Sequence, residues 1–221
     1  EIADRIVVMR GGRVVAEKRR EETNASELAQ AMVQTATQTR AGRHPNITAI
    51  VGVAGNGQPE LAARFREEHP EAAHIPEDRT RDGIVAEMTI AENLALRGNH
   101  EPRAMIERYS IRASGPKQRA GDLSGGNQQK VVLARELHRR PDLIFAAEPT
   151  RGLDLAATAF VHEQLRAAAD GGARVTLITS DLDEAFALAG TIQVIYRGAL
   201  SEPMPADEAM SKVANLMGGL A

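Results

Sequence analysis

The sequence predicts an α/β fold, a mostly parallel sheet covered by helices. Three observations carry this. Short apolar runs at Ile47–Val53, Leu143–Ala147 and Arg174–Thr179 read as buried strands. Longer stretches with helical spacing of apolar residues alternate with them. The first strand flows into a glycine-rich loop that opens a helix, and open α/β sheets bind ligands at such joins.

Composition bounds the function. A chain of 221 residues allows one or two domains, and an apolar share of 43% supports a sizeable core. Two Tyr, four Phe and no Trp are too few for a platform that stacks nucleic-acid bases. The net charge of −3 supplies no basic field, so nucleic acid is not an expected partner. The absence of cysteine excludes disulfides and thiolate metal sites and agrees with a reducing cytoplasm. No apolar run approaches the roughly 20 residues of a membrane span. The opening Glu1–Arg5 has no basic-then-apolar pattern of a signal peptide. A membrane role would therefore pass through a partner.

The elements follow in order. IADRIVVMRGGRVV from Ile2 resembles LAGTIQVIYRGALS from Leu188, with Ile6, Val8 and Gly12 aligned to Ile192, Val194 and Gly198. Each copy reads as strand, glycine turn, strand and amphipathic helix, the helices being Ala25–Gln34 and Ala206–Met217. Residues 1–40 are thus expected to be the tail of a preceding homologous domain plus a linker, Thr35–Pro45 being polar with Gly42 and Pro45. The second domain is expected over 41–221. Pro59 suits the first turn of a helix. Thr89 and Glu92 form a capping box for a helix Ile90–Leu96. Helices are expected at Gly126–Arg139 and Ala156–Ala169, the latter stopped by Gly171-Gly172. Asp181 caps a last-but-one helix ending at Leu188, with Glu184 at the capping-box position.

Three motifs carry chemistry. Gly52-Val53-Ala54-Gly55-Asn56-Gly57-Gln58-Pro59 can cradle a phosphate with backbone N–H groups and a helix N-terminus. Its glycines match G-x-x-x-x-G-K-[ST], but Gln58 stands in place of the lysine and Pro59 in place of the Mg²⁺-binding hydroxyl. Leu123-Ser124-Gly125-Gly126-Asn127-Gln128-Gln129-Lys130 puts a serine and two glycines at a helix start, a natural seat for a γ-phosphate. Leu143–Ala147 leads into Glu148-Pro149-Thr150-Arg151-Gly152-Leu153-Asp154, and a carboxylate at a strand's C-terminal end could orient or deprotonate a water.

LSGGNQQK followed by EPTRGLD resembles the signature, Walker B end and D-loop of ATP-binding-cassette (ABC) ATPases. GVAGNGQ, PEDR (Pro76–Arg79), RDGIV (Arg81–Val85) and AENLAL (Ala91–Leu96) resemble the second cassette of simple-sugar and nucleoside importers, with AAEPTRGLD closest to the nucleoside branch. The resemblance covers most of 47–200. It implies a P-loop NTPase-like α/β fold with a helical signature subdomain, here cut short in its antiparallel β-subdomain. It implies ATP and Mg²⁺ as cofactors, a transmembrane permease and a head-to-tail second cassette as partners, and a cytoplasmic, membrane-peripheral location. Gly52, Gly55, Asn56, Gly57 and Gln58 would hold this chain's own phosphates. Ser124, Gly125, Gly126 and Gln128 would grip the γ-phosphate of the partner's ATP, and Asp154 would cross the interface.

Departures from the family pattern cluster. Gln58 and Pro59 replace the Walker A lysine and hydroxyl, Ala147 the Walker B aspartate, and Ser180 the switch histidine. Together they imply poor metal and phosphate handling, with Glu148 as a residual water-orienting group. Glu77 lies only nineteen positions after Gln58 (77 − 58), a shorter stretch than the family has. The rival reading is a non-catalytic ABC-like scaffold. A soluble ABC ATPase acting on nucleic acid would need basic surfaces or coiled-coil insertions, which are absent from this sequence. His69, His74 and His138 lack metal-ligand spacing, so no metal site is expected from them. Glu77, Asp78 and Asp82, interleaved with Arg79 and Arg81, read as a solvated loop.

Overall fold

The computed structural model describes residues 4–10, 13–24, 27–28, 43–98 and 101–219. It forms two compact units, Glu1–Glu60 with Thr179–Ala221, and Leu61–Ile178. Among the described residues both are α/β: the second has only parallel strand pairs, and the first has one parallel pair, β-strands His44–Val51 and Ala189–Tyr196, with antiparallel additions.

In the first unit, strand β1 (Arg5–Arg10) pairs antiparallel with β2 (Arg13–Arg19), with a register shift at Val8/Met9. This hairpin makes a sheet of its own, with Val7 and Val14 exposed. Of the helix expected over Ala25–Gln34 only residues 27–28 are described, and they are helical; the rest of it and most of the expected linker lie outside the described residues. Strand β3 (His44–Val51) starts earlier than the apolar run suggested and stops two residues sooner. It pairs in parallel with β7 (Ala189–Tyr196), Val51 opposite Val194. Ile47, Ala49, Val51 and Ile192 are fully buried. A parallel strand covered on both faces reads as a continuous apolar run, which is why this one was legible. Arg43 anchors its start, donating to the Phe186 carbonyl at 2.8 Å and to Asp207 at 2.6 Å. The short strands β8 (Ala199–Leu200) and β9 (Met204–Pro205) both pair antiparallel with β7. Helix α6 (Leu182–Leu188) is capped by Asp181, which accepts from Asp183 N and Glu184 N. Helix α7 (Ala206–Met217) has the expected bounds.

In the second unit, β4 (Ala73–Ile75), β5 (Leu143–Ala147) and β6 (Arg174–Thr179) run parallel with β5 in the middle. Phe65, on helix α1 (Gln58–Glu68), stacks on Phe145 with centroids 4.2 Å apart. The Thr89–Glu92 capping box forms as expected and opens α2 (Ile90–Ala95). Asn93 on that helix is fully buried; it accepts from Val85 N at 2.8 Å and donates to Val85 O at 2.9 Å, pinning the RDGIV segment. Helix α3 (Pro102–Arg108), capped by Glu101, was not anticipated. Helices α4 (Gly125–Leu137) and α5 (Leu155–Asp170) each begin one residue earlier than expected.

The acidic segment Glu77–Asp82 is built rather than loosely solvated. Asp78 caps a π-helical turn, Arg79–Gly83, by accepting from Thr80 N and Arg81 N. Asp82 pairs with Arg81, whose hydrogen bond and charge hold the carboxyl below its ordinary range. Glu77 pairs with Arg151. Local side-chain-to-backbone bonds of this kind compete with regular structure and leave no periodic signal.

Candidate functional site

The glycine-rich loop lies between β3 and α1. Gly55 and Gly57 have φ of 90° and 101°, which only glycine adopts without strain. A Cβ on Gly52 would sit 2.6 Å from both the side chain and the carbonyl oxygen of Ile195. Gly52→Ala is therefore expected to lower the unfolding free energy by about 1–3 kcal/mol, read from urea denaturation. An unchanged midpoint would refute that packing. Asn56 fixes the loop from outside: its Oδ1 accepts from Arg197 N at 2.9 Å, and its carbonyl accepts from Gly198 N at 2.8 Å.

Gln58 does more than omit a charge. Its Oε1 accepts from Asn56 N at 3.0 Å, and its Nε2 donates to Val53 O at 2.9 Å. Its carboxamide thus folds back across the turn and occupies a backbone donor of the phosphate-cradle motif. Pro59 follows within α1 and brings no hydroxyl.

The signature helix α4 begins at Ser124, which is exposed and extended (φ −62°, ψ 153°). Although a serine at a helix start usually caps it, Ser124 makes no side-chain bond to the helix backbone. Its Oγ instead accepts from Asn127 Nδ2 at 2.9 Å, and Asn127 Oδ1 accepts from Arg112 N at 2.8 Å. The tip therefore keeps first-turn N–H groups without a serine cap, at the positive end of a 13-residue helix. Gly126 lies where a Cβ would meet Ala157 at 3.3 Å. Gln128 is buried, held by Thr80 Oγ1 at 3.4 Å and near Ala120 O, so its amide lies beneath the tip instead of on it. Gln129 donates to Pro149 O at 2.8 Å. Lys130 donates to Ser110 O at 2.8 Å and lies 4.7 Å from the Phe160 ring centroid; burial lowers its pKa.

Glu148 follows β5 with φ 43°, a left-handed backbone that is uncommon for a residue with a side chain. Its N–H still donates to Ile178 O at 2.8 Å, so the strand ends in a sharp outward turn. Ala147 is buried and carries no ligand atom on its side chain. Asp154 is exposed and caps α5, accepting from Ala157 N at 2.8 Å. Ser180 is exposed after β6, just before the Asp181 cap. No group of three or more His, Cys, Asp or Glu residues among the described residues could hold a metal. No helix among them is long and apolar enough to cross a membrane.

Two residues of this region were missed by sequence reasoning. Arg79 donates to Arg151 O at 2.8 Å and packs its guanidinium on Gly125. Gln129 ties α4 to the turn after β5. The PEDR motif held the signal for Arg79, but nothing in its spacing shows where the side chain goes.

A glycine loop between strand and helix, a serine-led helix tip and a carboxylate at a strand end define a nucleotide-binding cassette. Residues 53–151 match the ABC transporter family, so the chain carries an ABC transporter domain there. Among curated relatives, the nucleoside import ATP-binding protein NupA of Lactococcus lactis is 35% identical, covering 72% of this chain and 39% of the relative. The guanosine import ATP-binding protein NupO of Bacillus subtilis is 32% identical over 78% of this chain and 42% of its own length. A ribose import ATP-binding protein of Mesorhizobium japonicum is 34% identical over 66% of this chain. The chain spans about two fifths of the first relatives it matches. A solved ATP-binding subunit of an ABC transporter shares the fold with TM-score 0.64 at 19% identity, covering 80% of this chain and 84% of that one. A solved dimer of the cassette MJ0796, bound to ADP and Pi, gives TM-score 0.59 at 18% identity, covering 72% of this chain and 85% of that one.

Proposed function

We propose that this chain is the ATP-binding, energy-coupling part of an importer for nucleosides or simple sugars. Its LSGGNQQK tip serves nucleotide held by a partner cassette, while its own glycine loop binds nucleotide weakly. Residues 1–40 are the tail of a preceding cassette and its linker, and 41–221 the second cassette, working cytoplasmically against a transmembrane permease. The names of the relatives support the substrate class. The exposed hairpin valines support the assignment of the first segment, since a two-stranded ribbon alone is marginal in water.

The observation that carries the reading is the contrast between the two phosphate motifs. The Ser124 tip is exposed and lacks a serine cap, whereas the loop N–H of Asn56 is taken by Gln58. An exposed helix start without a side-chain cap suits a γ-phosphate delivered from outside. Gln58, Pro59, Ala147 and Ser180 are the positions that weaken the chain's own site.

MgATP titration tests this. The chain alone is expected to bind more weakly than micromolar, and mixing it with a catalytically competent cassette is expected to give an ATP-dependent complex on size-exclusion chromatography. Submicromolar binding by the chain alone contradicts the weak-site claim. The Gln58 contacts also favour a scaffold that binds no nucleotide; that reading wins if the complex forms equally well without ATP.

A further inference from the structure

The PEDR segment, Pro76–Arg79, brings an arginine against the signature tip. The Arg79 guanidinium lies on the signature tip: a Cβ added to Gly125 would come within 2.7 Å of Nη2 and 3.3 Å of both Cζ and Nε. On its other side, Nη1 donates to Arg151 O at 2.8 Å, and Nη2 lies 3.8 Å from the Cβ position of Gly152. Arg151 is held in turn by its ion pair with Glu77, the second residue of PEDR. Nε is buried and makes no hydrogen bond. Buried donors without partners are rare because they are costly, so this arrangement is not the one stability alone would select.

We propose that Arg79 is a positioning residue that ties the LSGGNQQK tip to the turn Thr150–Asp154, so that Ser124 and Asp154 meet an incoming γ-phosphate as one rigid edge. Gly125 is then glycine chiefly to admit the guanidinium. The planar fork is essential, since one face packs on Gly125 while one nitrogen reaches a carbonyl. A lysine offers a point charge without that geometry. The mechanistic consequence rests on the function proposed above, but the clamp itself does not.

Hydrogen exchange on the full chain, with Arg79→Ala, Arg79→Lys, Gly125→Ala and the Arg79→Ala/Gly125→Ala pair, tests the clamp. Amide exchange in 124–128 and in 151–154 is expected to rise together by about tenfold, matching one lost hydrogen bond. Arg79→Lys should not rescue it. Gly125→Ala should reproduce the effect by displacing the guanidinium, and the double variant should be no worse than either single one. Unchanged exchange at 151–154 in a folded Arg79→Lys protein overturns the proposal, as do additive effects in the pair. In the mixture with a competent cassette, Arg79→Lys should lower kcat by about a hundredfold, the scale of a misplaced reacting group, while KM for MgATP stays put. If exchange shifts but neither Arg79→Lys nor Ser124→Ala alters turnover, the clamp stands and the transport reading falls. If Ser124→Ala abolishes turnover while Arg79→Lys changes neither exchange nor kcat, the clamp falls alone.

Discussion

Exchanging Ser124 for alanine is expected to cut ATP turnover by a mixture of this chain and a competent cassette by about a hundredfold, the usual cost of one lost donor to transition-state charge. The serine hydroxyl is exposed and already accepts from Asn127, so its own proton is left to donate outward. Alanine removes that donor and leaves the fold alone, because Ser124 makes no capping bond to lose. Removing a true cap would cost about 1 kcal/mol of stability. The two roles therefore separate cleanly: turnover falls while the urea midpoint holds. A kinetic split sharpens the test. The loss should appear in kcat more than in KM for MgATP, since the partner's own loop dominates ground-state binding. Wild-type turnover with Ser124→Ala sinks the idea that this tip serves a partner's nucleotide.

How much of this was legible in the sequence depends on what kind of interaction holds each part. Strands β5 and β6 were bounded to the residue, because a buried parallel strand must be apolar on both faces. Helix α7 was equally clear from its amphipathic spacing, and Thr89 with Glu92 announced α2 through paired caps. The parts that escaped are those fixed by single polar side chains. Arg79–Gly83 forms a π-helical turn because Asp78 caps it, yet PEDR-T-R-D reads as a polar loop. Asn93, a polar residue inside α2 with no sequence signal of its role, is a buried bracket for Val85. Ser124 had the residue type and place of an N-cap, but the neighbouring amide of Asn127 competed for its oxygen. Gln128, four residues on, points its amide inward to Thr80. Composition constrains which faces are buried; it does not choose among hydrogen-bond partners of similar strength, and the site is assembled from such choices.

The same logic makes Gln58→Lys the variant with the largest expected gain. Two effects combine in it. Removing the carboxamide releases Asn56 N–H, which Gln58 Oε1 now holds at 3.0 Å, and returns it to the loop. The ammonium then adds a charge-assisted contact, and hydrogen bonds to charged groups contribute about 1.5–3 kcal/mol. At about 1.4 kcal/mol per decade, ATP affinity of the chain should rise by at least about tenfold. Gln58→Ala separates the effects: it frees the N–H without adding the charge and should give the smaller gain. Neither variant should gain appreciable hydrolysis, since Pro59 still brings no hydroxyl for Mg²⁺ and Ala147 no carboxylate. Calorimetric titration of ATP, with and without Mg²⁺, reads all of this. If neither Gln58→Lys nor Gln58→Ala binds tighter than wild type, the loop is closed by more than its glutamine, and the departures at this motif mark a segment rebuilt for structure alone.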